Sequence, residues 1–272
     1  MFEKSTSETV FIFIDGSYYC FYRYFALLRW WKFVYPDNSN EDLSNCEVFI
    51  EKFKKMFISK IKEIPKKLCI DPKIKPVFIV GKDCKRENIW RNELLSEYKA
   101  NRDNISKENA KDKEFFFKLA YDELFNLSNI DMILKHPKLE ADDCIAISVK
   151  HICNNYPFSK IYIITSDSDY LQLQNEKIDV INLMYKKLKT SGNNERDLLK
   201  KIIMGDISDN IPSVFPKCGL KTGEKCCEDK EYLLKKMNGD KNYYTQYELN
   251  KKLIDFNMIP EELSNEFLLS IK

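Results

Sequence analysis

Residues 9–15 read TVFIFID, a β-branched and aromatic run that ends in Asp-Gly. The pattern predicts a buried strand followed by a turn. Working outward, three more runs of this kind follow, KPVFIV (75–80), KIYIIT (160–165) and KIDVINL (177–183), and NIDMIL (129–134) is a weaker fifth. Helical patterns lie between them, roughly over 17–30, 46–63, 110–127 and 140–154. Strands alternating with helices argue for an α/β fold with a mostly parallel sheet covered on both faces. After about residue 195 the strand signal stops. NNERDLLKKIIMGDISDNIPSVFPKCGLKTGEKCCED (193–229) reads as short helices joined by Gly- and Pro-containing turns, and 240–272 as one or two more helices. Segment 101–113 mixes both signs of charge densely and is expected to be the most mobile part.

The 272 residues are 44% hydrophobic and 32% charged, enough for a sizeable core. A net charge of +2 does not announce a nucleic-acid binder, so any basic surface must be local and balanced by an acidic one. Nine cysteines without a C-x-x-C pair predict free thiols in a reducing, intracellular compartment. With only His136 and His151, the chain offers no zinc site. The polar start MFEKSTSETV is not expected to be a signal peptide. The apolar run at 18–36 is broken by Arg23, Arg29 and Lys32, which excludes a membrane span. It reads as a buried amphipathic helix, and its aromatics could alternatively offer a nucleic acid a stacking surface.

The acidic residues collect. Ligands of α/β sheets bind outside the carboxyl ends of the strands. Asp15 ends the first strand, and Asp167 and Asp169 in TSDSDYLQL follow the third. Glu140, Asp142 and Asp143 in LEADDCIA (139–146) open a helix after the weak strand. Asp206 and Asp209 in MGDISDNIP fall in the helical part, from which they could fold back. Singly, each reads as a turn, a cap or a loop. Together, so many carboxylates at one edge cannot all stay ionised without cations. Oxygen-only donors favour Mg²⁺ or Mn²⁺. DSDYLQLQNEKI fails as an EF-hand after its second Asp, and the chain has no Walker or G-x-G-x-x-G loop. A glycosidase needs a pair of carboxylates, not a crowd.

Five segments in order resemble the 5′-nuclease family of flap endonucleases, phage 5′-3′ exonucleases and the 5′-nuclease domain of bacterial DNA polymerase I. They are FIFIDGSYYCFYRYFAL, NIWRNELLSEYKANRD, LEADDCIA, TSDSDYLQL and MGDISDNIPSVFPKCGLKTGEK, which run from Asp15 to about Lys225. The resemblance implies a PIN-like domain over 1–195, with a helical arch at about 85–118. It also implies a DNA-binding module over 196–272 that contains a helix–three-turn–helix motif. By matched position, Asp15, Glu140, Asp142, Asp143, Asp167, Asp169 and Asp209 would be metal ligands, direct or through water, with Asp206 a weaker member. The metals would be two ions about 4 Å apart. Arg91, Lys99 and Arg102 fall on the arch segment. The family reading sets Lys99 and Arg102 at the scissile phosphate; the plain reading is helix salt bridges to Glu93, Glu97 or Asp103. Trp90 reads as core, and Tyr98 as either core or a stacking surface for a frayed base.

Lys217, Gly219, Lys221, Thr222 and Lys225 would form the DNA-binding hairpin. Gly219 would permit its tight turn, and K⁺ is often held there in the family. Ser213 and Lys217 stand where the family commonly has glycine. Cellular flap endonucleases also place a metal-linked Asp where this chain has Gly81. Asp83, two residues on, is expected to replace it, with Gly81 supplying the flexibility. The expected substrate is branched or nicked DNA with a 5′ flap, cut during replication or repair. Alternatives are a 5′-3′ exonuclease that removes RNA primers from RNA–DNA hybrids and a non-catalytic branched-DNA binder. No clamp-binding motif ends the chain, and a monomer is expected.

Overall fold

The computed structural model describes residues 9–36, 42–101 and 110–271. Five strands, β1 (Val10–Asp15), β2 (Val77–Gly81), β3 (Met132–Leu134), β4 (Lys160–Ile164) and β5 (Ile178–Ile181), form an all-parallel sheet. Their order is β3-β2-β1-β4-β5. β1 is central and buried on both faces. Its alternation sends Val10, Ile12 and Ile14 into one layer and Phe11 and Phe13 into the other.

The first layer holds α1 (Gly16–Val34), α2 (Glu47–Lys62), the short α3 (Ile64–Lys67) and α4 (Ala110–Leu119). A π-turn over Ala120–Leu124 carries α4 into α5 (Phe125–Leu127). Aromatic rings from α1, α2, α4 and α5 interlock here, including Tyr19, Tyr24, Phe49, Phe53, Phe57, Phe116 and Phe125. The second layer holds α6 (Ala141–Asn155) and a 3-10 turn, Ser168–Leu173.

The remaining helices are α7 (Asn194–Met204), α8 (Leu220–Glu228), α9 (Lys230–Met237), α10 (Lys241–Ile254) and α11 (Glu261–Ser270). Ile203, Val214, Phe215, Cys226 and Met237 give α7–α9 a small core of their own. Ile202, Ile211, Leu253 and Ile254 join this helical part to Ile89 and Tyr98. The last helix returns to the sheet, where Phe267 of α11 packs with the second layer.

The Asp-Gly after β1 is not the turn its composition suggests. The chain passes directly into α1, whose first backbone donors are capped by Asp15 through Tyr18 N at 3.0 Å. Gly16 is needed for closeness: a Cβ there would stand 2.2 Å from the Tyr121 hydroxyl and 2.5 Å from the Gly81 carbonyl. The chain runs outward from β1 to β2 and β3, then crosses back to β4 and β5. The topological switch therefore lies between β1 and β4, where sheets of this kind open a crevice. No described helix is long and apolar enough to cross a membrane.

Candidate active site

The crevice is walled by the ends of β1, β2 and β4. Asp15 accepts from the Thr165 hydroxyl at 3.1 Å, and Thr165 in turn accepts from Asp167 N at 3.1 Å, so β1 and β4 present their carboxylates side by side. Asp83 accepts from Ala141 N at 2.9 Å and from the Ser17 hydroxyl at 2.5 Å. It therefore sits between the amino ends of α6 and α1. Burial, and then the Asp83 and Asp167 charges, push the Asp15 carboxyl up to about 7. Gly81 contributes packing, not flexibility. Its φ is not positive, and a Cβ there would lie 2.8 Å from Ile145 and 3.0 Å from the Ala141 carbonyl. A side chain at 81 would push α6 off the strand, which leaves Asp83 as the carboxylate at this corner.

α6 begins on a capping box. Glu140 is its N-cap, and Asp143 accepts from the Glu140 N–H. Each of Glu140, Asp142 and Asp143 offers an oxygen within 4.8 Å of the others. Their environments differ sharply. Asp143 is wholly buried: Oδ1 accepts from Arg91 at 2.7 Å, and Oδ2 from Arg91 at 2.8 Å, from Trp90 Nε1 at 2.9 Å and from Glu140 N. Four donors hold it, three of them on Oδ2, and this anchors the start of α6 behind the site. Arg91 likewise does not face a phosphate. It is 2% exposed, forks onto Asp143, reaches Glu140 at 3.0 Å and donates Nε to the Leu253 carbonyl at 2.8 Å.

Tyr98 is 5% exposed and bonds Glu140 at 3.1 Å, so it offers no stacking face to a base. Trp90 is core, as expected. Asp142 is the exception among these acids, with no cation in ion-pair reach among the described residues. Burial and the flanking Asp143 and Glu140 hold its carboxyl well above the usual range. Glu140 is also pushed up by burial, but the Lys99 and Arg91 charges outweigh this and bring it below.

A second group comprises Asp169, Asp206 and Asp209, again with oxygens within 4.8 Å of one another. The loop bearing Asp206 and Asp209 is tied to the 97–101 segment by one backbone bond and two from asparagine side chains. Lys99 N donates to Asp209 O at 2.9 Å, Asn101 to Ile207 O at 2.7 Å and Asn210 to Glu97 O at 2.8 Å. Gly205, at φ +69° and with Pro212 and Ile211 carbonyls where a Cβ would be, makes the loop possible. The buried Asn250 pins it by donating to the Ile202 and Pro212 carbonyls.

Two ammonium groups sit among the acids. Lys99 bridges Glu140 and Asp209, and Lys201 bridges Asp169 and Asp206. Asp15, Asp83, Asp142 and Asp167 share these two charges with those four acids, so neutralisation is partial, and burial still lifts Asp169 to about 6. Donor chemistry and clustering both fit divalent cations. Arg102 lies outside the described residues.

Lys201, Gln172 and Asn250 escaped the sequence reading. Gln172 follows Asp169 on the same 3-10 turn and clamps the end of α10, donating to Ile254 O at 2.9 Å and accepting from Phe256 N at 3.0 Å. Polar residues on an amphipathic helix or turn carry no signal until the partner is known.

A cleft of about 690 Å³ runs from Asp167 and Asp169 past Lys201 to Gly219. It brings the hairpin before α8 against the acidic edge. The tight backbone of this hairpin is at Lys217, φ +56°, and not at Gly219, which is extended at φ −93° with open space around it. Lys217, Lys221 and Lys225 are exposed and Thr222 half-buried, and Lys225 Nζ lies 4.3 Å over the Tyr232 ring. All nine cysteines are free.

This architecture has relatives. The chain is 28% identical over 205 residues to the ribonuclease H of phage T4, which covers 68% of this chain and 66% of that one. It is 27% identical over 253 residues to a 5′-3′ exonuclease of Buchnera aphidicola from Schizaphis graminum, covering 89% and 76%. Among solved structures, the phage T5 D15 flap endonuclease in complex with DNA and metal ions superposes with a TM-score of 0.67 at 19% identity, over 96% of this chain and 97% of that one. The T5 D15 protein co-crystallised with metal ions gives 0.65 at 20% identity, covering 96% and 98%. The family described as 5′-3′ exonuclease, N-terminal resolvase-like domain, matches residues 10–202. With its sheet order, its acidic switch point and this match over most of its length, the chain belongs to the 5′-3′ exonuclease family.

Proposed function

We infer that the protein is a divalent-metal-dependent 5′ nuclease that cuts phosphodiester bonds at 5′ flaps of branched DNA. The observation that carries the reading is the gathering of two carboxylate groups at the switch point with too few cations to neutralise them. Glu140 and Asp142, with Asp15 and Asp83 beside them, would hold one Mg²⁺ or Mn²⁺. Asp167, Asp169, Asp206 and Asp209 would hold a second. Bound there, the ions supply an activated water and charge neutralisation at the leaving oxygen.

The protein's own groups do the rest. Arg91 and Trp90 lock Asp143, and through it the start of α6, so that Glu140 and Asp142 keep their spacing. Lys99, 12% exposed in its side chain and at the edge of the acids it bridges, would offset negative charge on the scissile phosphate. Lys217, Lys221, Lys225 and the first N–H groups of α8 would take duplex phosphates, with Gly219 and Thr222 at the contact. K⁺ among the hairpin carbonyls belongs to the same reading, and a monomer suffices for it.

The test is a 5′-labelled flap incubated with Mg²⁺ or with chelator, and product lengths mapped to the junction. Cleavage near the junction that needs metal supports the reading. Cleavage in chelator sinks it, and binding without cleavage would make the protein a branched-DNA binder. A companion substrate with an RNA 5′ segment decides the second reading, favoured by the likeness to the T4 ribonuclease H. Faster removal of RNA than of DNA would make primer removal the main activity.

A further inference from the structure

The outer face of α1 carries aromatic side chains that the packing covers only in part. Phe21, Phe25 and Phe33 are 42%, 39% and 86% exposed, and exposed Arg29 stands between the last two. They recur at every fourth position. Each therefore lies about 6 Å further along the helix and about 40° further round it than the one before. The Phe21 and Phe25 rings are 6.1 Å apart and 8° from parallel. One exposed Phe means little; three in register with an arginine form a surface.

The helix itself brings no negative charge to this surface. α1 carries exposed Arg29 and Lys32 and no Asp or Glu; its remaining cation, Arg23, is buried. Lys113 of α4 places its ammonium 5.5 Å from the Phe25 ring, and Lys52 of α2 places its own 3.4 Å from the Trp30 ring. The stripe is also continuous with the acidic crevice. Its inner end, Phe21, lines a groove of about 860 Å³ that reaches Ser17 and Asp83, in which four lysines stand against three acids, Asp83, Glu114 and Asp122. Aromatic faces in register along a helix, flanked by cations and leading away from a site for phosphodiester chemistry, match a flexible polyanion bearing flat apolar groups at intervals. That is the chemistry of single-stranded nucleic acid. Trp30 and Val34, 38% and 41% exposed, widen the surface, but the lysines along it suit a polyanion better than the charge-depleted core of a protein interface.

We propose that Phe21, Phe25, Arg29 and Phe33 form a track along α1 for the single-stranded 5′ arm of the substrate. The proposal rests on the flap-cleaving reading above and extends the bound substrate several nucleotides beyond the scissile bond. Bases stack on Phe25 and Phe33, and Arg29 takes the intervening phosphate.

The experiment compares two DNA junctions with the same duplex, one with a 1-nucleotide and one with a 10-nucleotide 5′ arm. Their affinities are measured by fluorescence anisotropy in chelator with the full-length protein. Wild type should prefer the long arm. Phe25→Ala/Phe33→Ala should lose about tenfold in affinity for the long arm and nothing for the short one. Phe25→Trp/Phe33→Trp should keep the preference. Arg29→Ala should flatten the salt dependence for the long arm by about 0.7 of a log unit per log unit of salt. The track is overturned if the double alanine variant binds both arms as wild type does, or weakens both equally. It is also overturned if wild type sediments as a dimer that the variant abolishes while arm preference stays unchanged. Cleavage of the 1-nucleotide substrate in Mg²⁺ is followed alongside. Its absence from wild type counts against the nuclease reading itself. Its presence in both proteins, with equal long-arm binding, counts against the track alone.

Discussion

Asp142 and Asp143 are chemically identical neighbours, and the proposed function gives them opposite tasks. Asp143 is held by Arg91, Trp90 and a backbone N–H, whereas Asp142 faces other carboxylates without a cation in ion-pair reach among the described residues. Asp142→Asn should therefore abolish cleavage while leaving DNA affinity in chelator near wild type. Asp143→Asn should cost about 10–100-fold in activity and raise the Mg²⁺ needed, because it disturbs the support and not a ligand. Steady-state rates over a Mg²⁺ titration separate the two, and equal losses with unchanged Mg²⁺ demand would contradict this division. Lys217 supplies a second test at one residue. A lysine at φ +56° carries left-handed backbone strain of about 1–2 kcal/mol, partly offset in a glycine variant by the entropy glycine loses on folding. Lys217→Gly is expected to stabilise the protein by about 0.5–1 kcal/mol in urea unfolding, and a loss of stability would refute the strain argument.

Among the elements, the hairpin leading into α8 is the one to which the proposed function assigns the duplex. Its lysines stand clear of the protein, and the cleft that ends at Gly219 begins at Asp167 and Asp169. A duplex held there would lie beside the acids. Bonds to phosphate carry no sequence information. Changing Lys217 and Lys221 together to Ala should thus weaken binding to every duplex sequence alike. The slope of log affinity against log salt should fall by about 0.9 for each phosphate that is no longer neutralised. An unchanged slope would mean that the duplex lies elsewhere. Behind this surface, Gln172, Arg91 and Lys150 bond the 253–257 segment, so α10 and the acidic edge move as one body.

For the whole molecule, the acidic crevice is expected to be a source of instability that divalent cations relieve. The Asp15 carboxyl is raised from 3.8 to about 7 and Asp169 to about 6. An acid with a raised folded pKa holds more protons folded than unfolded between its two values. Stability without metal therefore falls as pH rises from about 4 to about 7. A divalent cation takes the place of those protons. Mg²⁺ at a hundred times its Kd is expected to add about 2.7 kcal/mol at pH 8 and much less at pH 5, where the same carboxylates are already protonated. Thermal unfolding with Mg²⁺ and with chelator at both pH values checks this; a larger gain at pH 5 would contradict it.

Much of this was legible in the sequence because it depends on local pattern. Strand and helix follow from the period of apolar residues, and all five strands lie where their runs are. The carboxylates meet because a parallel sheet sends its loops to one edge, so position after a strand predicts position in space. What each carboxylate does there was not legible. That Asp143 is held by Arg91, that Tyr98 is core, that Arg91 faces inward and that Lys201 stands among the acids all depend on contacts between residues 32 to 162 positions apart. The glycines divide the same way. Local composition marked Gly16 and Gly219 as turns, but Gly16 and Gly81 are required by the approach of Tyr121 and Ile145, and the strained turn falls on Lys217. Pattern determined which elements form and which edge collects charge. Only the tertiary structure decided which charges are already satisfied, because desolvation and hydrogen-bond saturation belong to the packed surroundings and not to the residue.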